Sequence, residues 1–232
     1  MIKNYVIIVG GGSGVRMRSA IPKQFMLLNG LPVLMHTIKA FENSKTKPTI
    51  VLVLNNQLKA EWERLCAHYA FQTPHVLVDG GETRFHSVRN GLNYIRQFME
   101  SASATYIAVH DGVRPLVTEA VIDYGFQEVI NYGALTSAVP SKDSVRIKDK
   151  TTTKAVDRNT VYLVQTPQFF SASVLCHAYE QAYNEIFTDD ASVVEQNGYP
   201  VQIIPGDTRN IKITFPEDLL FAEVVMKSFP ND

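Results

Sequence analysis

Short, almost uninterrupted apolar runs recur along the chain, and most are followed by a segment of helical periodicity. This alternation limits the fold more than any other feature of the sequence. Val6–Val9, Thr49–Leu54, His75–Val78, Tyr106–Val109 and Ala134–Val139 read as strands. Continuous apolar strands are expected where both faces of a sheet are covered. Between them lie helical stripes: Leu34, Ile38 and Phe41; Leu58, Trp62, Leu65 and Tyr69; Val88, Leu92, Ile95 and Met99; Val121, Ile122, Phe126 and Val129. A strand–helix series with short connections predicts an α/β sandwich built on a largely parallel sheet.

The rhythm breaks over residues 141–159, which are polar and poor in large apolar side chains. Ser144–Lys148 and Thr153–Val156 can pair as two short strands across a turn at Asp149. An isolated hairpin is marginal in water, so this β-arm needs a partner, either the parent domain or another subunit. Helical segments then return at Leu175–Tyr183 and Ala191–Asn197, followed by a strand at Val201–Ile204 and a closing helix at Glu217–Lys227. The expectation is one domain over residues 1–232 with a projecting arm.

Composition excludes some function classes. A formal net charge of -1 gives no support to nucleic-acid binding, which would show a basic excess. No apolar stretch has membrane-spanning length, and the N-terminal apolar run is too short for a signal peptide. Cys66 and Cys176 form no metal-binding spacing. A cytoplasmic setting is the expectation.

In open parallel sheets, ligands bind beyond the carboxyl ends of the strands. Four polar loops follow predicted strands: Gly10-Gly11-Gly12-Ser13-Gly14, Asp79–Glu82, His110–Arg114 and Pro140–Asp143. They are expected to share one sheet edge. The glycine loop fits neither G-x-G-x-x-G nor G-x-x-x-x-G-K-[ST]. It can form a concavity of backbone N–H groups for an anion, with Arg16, Arg18 and Lys23 nearby, or simply a tight turn. Pro22 fixes φ ahead of Lys23 and argues for an ordered loop. Asp111 suits a Mg²⁺ ligand or hydroxyl partner and Arg114 a phosphate donor, or the two pair to brace their loop. His110, with no identified partner, reads as structural. Lys212 lies between Ile211 and Ile213 in a predicted strand, where it either faces an anionic partner or sits on an edge. Thr188, ahead of Asp189 and Asp190, can cap the next helix.

Taken in order, GGGSGVRM…PKQF, VLVDGGETRFHSV, VHDGVRP, VDRN, QTPQFF, TDDAS and NIKIT resemble the 2-C-methyl-D-erythritol 4-phosphate cytidylyltransferases over essentially the whole chain. The resemblance implies a Rossmann-like αβα sandwich with a mostly parallel mixed sheet, and a β-arm that forms a homodimer. It implies transfer of CMP from CTP to 2-C-methyl-D-erythritol 4-phosphate with Mg²⁺, in the non-mevalonate route to isoprenoids. By the same resemblance, Arg16, Lys23 and Lys212 are catalytic cations, and Gly10, Gly11, Gly12, Ser13 and Gly14 cradle the triphosphate. Gly81, Glu82 and Ser87 hold cytosine and ribose. Asp111, Arg114, Ser144, Arg158, Thr166, Thr188 and Lys212 meet the sugar phosphate, and Asp111 also lies by the metal. Glu82 stands where relatives more often have Asp, and Ser144 where they have Thr. A ribitol-5-phosphate cytidylyltransferase shares PKQF, HD-x-x-RP and TPQ and is the alternative. A nucleotide-sensing protein without turnover is the non-enzymatic one.

Overall fold

The computed structural model of the chain describes residues 2–12, 21–100 and 104–228. Its centre is a seven-stranded sheet. The strands are β1 (Ile2–Val9), β4 (Thr49–Leu54), β5 (Val76–Asp79), β6 (Ala104–Asp111), β7 (Ala134–Pro140), β10 (Tyr162–Ser171) and β11 (Gln202–Pro205), in the order β11-β7-β10-β6-β1-β4-β5. Every pairing is parallel except those of β10, which runs antiparallel to both β6 and β7. A two-strand ribbon, β2 (Leu27–Leu28) and β3 (Leu31–Pro32), lies apart from it.

Strand alternation divides the core in two. Val6, Ile8, Leu52, Leu54, Ala108 and Phe169 face one layer, formed by α1 (Val33–Asn43), α2 (Asn56–His68) and α4 (Glu119–Tyr132). Ile7, Val51, Val53, Ile107, Val109 and Phe170 face the other, formed by α3 (Arg84–Arg96), α5 (Ala172–Ala178) and α6 (Asp190–Gln196). Trp62 is fully buried in the first layer and Ile95 in the second. Burying a side chain of this kind contributes roughly 1.5–3 kcal/mol. The predicted αβα sandwich is therefore present, and the helix expected over Leu175–Tyr183 lies earlier, as α5.

Strand β10 was not among the predicted strands. Its local sequence argues against a strand. Pro167 cannot donate to a ladder, and QTPQFF reads as a polar motif. The β10–β7 register shifts between Val164 and Gln168, so Pro167 lies within the irregularity and needs no ladder hydrogen bond. The strand is packed tightly once placed. A Cβ at Gly125 of α4 would lie 2.1 Å from Phe169 Cε2, so only glycine lets that helix sit on β10.

The arm is a hairpin of β8 (Val145–Asp149) and β9 (Thr152–Val156), close to the predicted limits. Its side chains are largely exposed, including Ile147 at 61 %. At its root, Leu163 and Val164 are exposed as well. The predicted closing helix is α7 (Pro216–Ser228), the last helix among the described residues. No helix among the described residues is long and apolar enough to cross a membrane.

The predicted strand around Lys212 is absent. Ile211–Thr214 makes no ladder, although Ile213 N donates to Val113 O at 2.8 Å. The neighbouring backbone is used otherwise: Thr214 N and Phe215 N both donate to Asp218 Oδ2 ahead of α7. The inferred sidedness survives without a strand, because Ile213 is buried and Lys212 exposed. The cap of α6 is also corrected. It is Asp189, in a reciprocal capping box with Ser192, and not Thr188.

Candidate active site

The chain crosses from β5 through α3 to β6 on the far side of β1, so the strand order reverses beside β1. In the register, Val9 of β1 lies opposite Asp111 of β6. The residues that follow these two strands therefore flank the switch point, where such sheets bind ligands. A cavity of about 450 Å³ lies there. Its wall includes Gly10, Gly11, Gly12, Lys23, Gln24, Gly81, Glu82, Arg84, Ser87, Asp111 and Lys212. A larger cleft of about 870 Å³ runs along α4 and Pro205–Asp207, and none of the predicted site residues lines it.

Three of the four polar loops thus converge as expected. The loop after β7, with Pro140–Asp143, does not reach the cavity. Backbone fit explains part of the convergence. Gly10 N donates to Val53 O, and a Cβ on Gly10 would lie 2.6 Å from Leu54 Cδ2. At Gly81 a Cβ would lie 2.4 Å from His86 Cβ, so the turn into α3 tolerates only glycine. The Gly81 N–H donates to Ser87 Oγ at 3.0 Å, and that hydroxyl donates onward to Thr83 O. Gly81 and Ser87 are therefore one hydrogen-bonded unit beside exposed Glu82.

Lys23 opens a 3-10 turn, Lys23–Phe25, entered from Pro22 at φ -55°. It is buried, and its Nζ donates to Ile213 O at 3.1 Å. Lys212 reaches Asp111 instead, with Nζ 2.9 Å from Oδ2. Asp111 is also 3.4 Å from Arg114 Nε and 3.5 Å from Arg84 Nε. Burial alone would raise its pKa, but Arg84, Lys212 and Arg114 outweigh burial and hold the carboxyl well below the usual carboxylate range. Burial lowers the pKa of Arg114, partly offset by Asp111. Arg114 Nη1 donates to Asn210 O at 2.8 Å, so it braces the loop as well as facing the carboxylate.

Arg84 was not singled out in the sequence. Its Nη1 and Nη2 donate to both carboxylate oxygens of Asp190, at 2.9 and 2.7 Å. Tyr179 Oη donates to Asp190 Oδ1 at 2.6 Å. Burial would lower the pKa of Arg84, yet Asp190 and Asp111 raise it overall, so it stays a fixed cation. This bidentate pair joins the cavity wall to α6 across 106 positions of sequence. An arginine after a glycine turn and an acid inside a capping motif carry no local sign that they will meet.

The remaining predicted residues take varied places. Buried Thr166 accepts from Asp111 N at 3.0 Å and so supports the backbone of that residue. His110 is fully buried: burial pushes its pKa down to about 3, and its Nε2 lies 3.2 Å from Arg114 O. Thr188 is exposed beside a smaller neighbouring hollow that Arg84 also lines. Ser144 and Arg158 are exposed at the arm and do not line the cavity of their own chain. Ser13, Gly14, Arg16 and Arg18 lie outside the described residues.

Among the described residues, no three His, Cys, Asp or Glu side chains gather as a metal-ligand set. Mg²⁺ commonly takes one or two carboxylates and completes its shell with phosphate oxygens and water. Asp111, a buried, ionised carboxylate on the cavity wall, offers one such position, which a metal would share with Lys212, Arg114 and Arg84.

The 2-C-methyl-D-erythritol 4-phosphate cytidylyltransferase family model matches residues 4–228. A protein of that name from Azobacteroides pseudotrichonymphae is 45% identical over 227 residues, covering 97% of this chain and 100% of its own. One from Bacteroides fragilis is 43% identical over 220 residues, covering 95% and 98%. Among solved structures, a 4-diphosphocytidyl-2C-methyl-D-erythritol synthase from Anaerococcus prevotii superposes with a TM-score of 0.80 at 27% identity. It covers 97% of this chain and 96% of its own. The cytidylyltransferase of Francisella tularensis gives a TM-score of 0.77 at 29% identity, covering 96% and 99%.

Proposed function

The chain belongs to the 2-C-methyl-D-erythritol 4-phosphate cytidylyltransferase family, and from that premise we propose how its cavity works. It transfers CMP from CTP to 2-C-methyl-D-erythritol 4-phosphate and releases pyrophosphate. An oxygen of the sugar phosphate attacks the α-phosphorus of CTP. The bond from that phosphorus to the bridging oxygen breaks, and its electron pair leaves with pyrophosphate. The nucleophile is already an anion, so no Ser, Cys or His need supply one. The barrier lies in bringing two anions together and dispersing charge at phosphorus, which preorganised cations do well.

The observation that carries this reading is the meeting of Gly10–Gly12, Lys23, Lys212 and Asp111 on one cavity at the sheet's switch point. Backbone N–H groups of the glycine loop receive the triphosphate. Gly81, Glu82 and Ser87 hold the nucleoside. Lys23 faces the charge that builds at phosphorus, a role the family resemblance gives to Arg16 as well, and Lys212, fixed by Asp111, lies on the acceptor side. Arg114 and Thr166 hold Asp111 in place, and Thr188 borders the acceptor end. Asp111 would hold Mg²⁺, which when bound neutralises phosphate oxygens.

The reading extends to a homodimer. Ile147, Leu163 and Val164 leave apolar surface on the arm and its root, and a hairpin this polar needs a partner. Pairing of two arms would bring Ser144 and Arg158 toward the cavity of the other copy. A solution mass of two chains is the expected result, and a monomer at assay concentration refutes the arrangement. Both cysteines are free and lie on opposite faces of the sheet, which suits a reducing cytoplasm.

The test of function is pyrophosphate release from CTP and Mg²⁺ with the methylerythritol phosphate, beside ribitol 5-phosphate as a second acceptor. Turnover with the first is expected. No release with it, or faster release with ribitol 5-phosphate, overturns the assignment.

A further inference from the structure

Gln24 follows Lys23 in the same 3-10 turn and is 1 % exposed. Its Nε2 donates to Gly10 O at 2.6 Å and lies 3.4 Å from Gly12 O. Both acceptors are carbonyls, so the nitrogen of the amide must face the glycine loop. Its Oε1 is turned elsewhere and is buried with no partner among the described residues. A side chain that satisfies two loop carbonyls while leaving its own oxygen unpaired is poorly suited to stabilising the fold alone, because an unpaired buried acceptor is costly.

We propose that Gln24 is a positioning residue for the nucleotide, acting as a clamp on the glycine loop. The proposal rests on the functional reading above and deepens it. A peptide unit is planar and trans, so holding the Gly10 carbonyl points the N–H of Gly11 away from Gln24. A second hold at Gly12 limits the same rotation two residues on. Three successive glycines have the widest backbone freedom of any sequence, and a loop of free glycines would present its N–H groups in many directions. The clamp restricts that freedom before CTP arrives, which lowers the ordering cost of binding.

The position of Gln24 adds a second consequence. Lys23 donates to Ile213 O next to Lys212, while Gln24 holds Gly10 and Gly12. One short turn, entered from Pro22, thus keeps the phosphate cradle and two cations in register. The tie toward Lys212 is made by the Lys23 side chain, whereas the Gln24 side chain touches only the glycine loop, so Gln24 should govern the handling of CTP and leave the affinity for the sugar phosphate alone.

Two full-length variants test this. Gln24→Met keeps the length and removes the donor. Gln24→Glu keeps the shape and, when ionised, sets a carboxylate against the loop carbonyls. Loss of one such hydrogen bond is worth about tenfold in affinity, so both variants are expected to raise KM for CTP about tenfold or more at pH 8. KM for the sugar phosphate stays within about twofold of wild type on that scale. A buried introduced carboxyl has a raised pKa, and once protonated it regains an O–H donor. The CTP penalty of Gln24→Glu therefore shrinks as pH falls from 8 toward 6, whereas that of Gln24→Met does not. Lys23, Glu82, Arg84, Asp111 and Lys212 are common to all three proteins, so each penalty is read against wild type at the same pH.

A merely structural role would raise both KM values together and give no recovery in acid, and that result overturns the clamp. An unchanged KM for CTP in both variants overturns it too. CTP binding by calorimetry keeps the two readings separable. A wild type that binds CTP without turnover defeats the functional assignment, while the affinities of the variants still decide the clamp.

Discussion

Lys23→Ala is expected to lower kcat on the order of 10³-fold while the protein remains folded. The scale follows from the role proposed for the ammonium. Removing one preorganised donor from a developing anion costs about 10²–10³ in rate, and cationic fingers on transferring phosphoryl groups reach about 10³–10⁵. Lys23 is buried and lies on the cavity wall, in a turn tied to both the glycine loop and Ile213. Water therefore screens it little, and its charge is in place before the reaction begins. The structural cost of the substitution is smaller. It leaves Ile213 O without the Nζ donor, a loss of about 1–3 kcal/mol. Lys23→Arg should fall between the two proteins, because the charge remains but the planar fork cannot take the position of a compact ammonium. The measurement is steady-state pyrophosphate release alongside a thermal melt. Turnover by a folded Lys23→Ala within tenfold of wild type would remove the residue from the transition state.

The contrast between Asp111 and Arg84 indicates which parts of such a site can be read from sequence. Asp111 directly follows an apolar run, and the end of a buried parallel strand is where a polar residue meets ligand. Its position alone made it conspicuous. Arg84 owes its importance to Asp190, and the two meet only because α3 and α6 pack on the same face of the sheet. No spacing encodes that contact. Strand β10 was hidden for a related reason. Its identity depends on two neighbours, β6 and β7, that receive it antiparallel and accommodate Pro167 where the register shifts. The arm was legible because polarity is a local property. Lys212 shows the converse error. Alternation correctly gave the buried and exposed sides of Ile213 and Lys212, but alternation does not require a ladder.

Asp111→Asn is expected to weaken both the fold and the reaction. The carboxylate is the shared counter-ion of Arg84, Arg114 and Lys212, and two of these three are largely shielded from water. The amide keeps the shape but removes the one negative charge that the three cations share. Breaking a buried pair by removing one partner costs about 3–5 kcal/mol. Arg84 retains Asp190 and Lys212 is partly exposed, so the lower end applies, about 3 kcal/mol or a fall in Tm of roughly 10 °C for a domain of this size. The sign with pH follows from the direction of the shift. The folded carboxyl titrates below its unfolded value of about 3.9, so its stabilising effect is fully present above that value. It is lost only as pH falls through the lower, folded value. The difference in Tm between wild type and Asp111→Asn, measured without Mg²⁺, should therefore be flat from about pH 5 to 8 and narrow in stronger acid. Turnover should fall as well, because Lys212 loses the group that fixes its Nζ, and under the proposed assignment the metal would lose its protein carboxylate. An equal Tm at neutral pH, or a difference that widens on acidification, would mean that the three cations do not depend on Asp111 for their place.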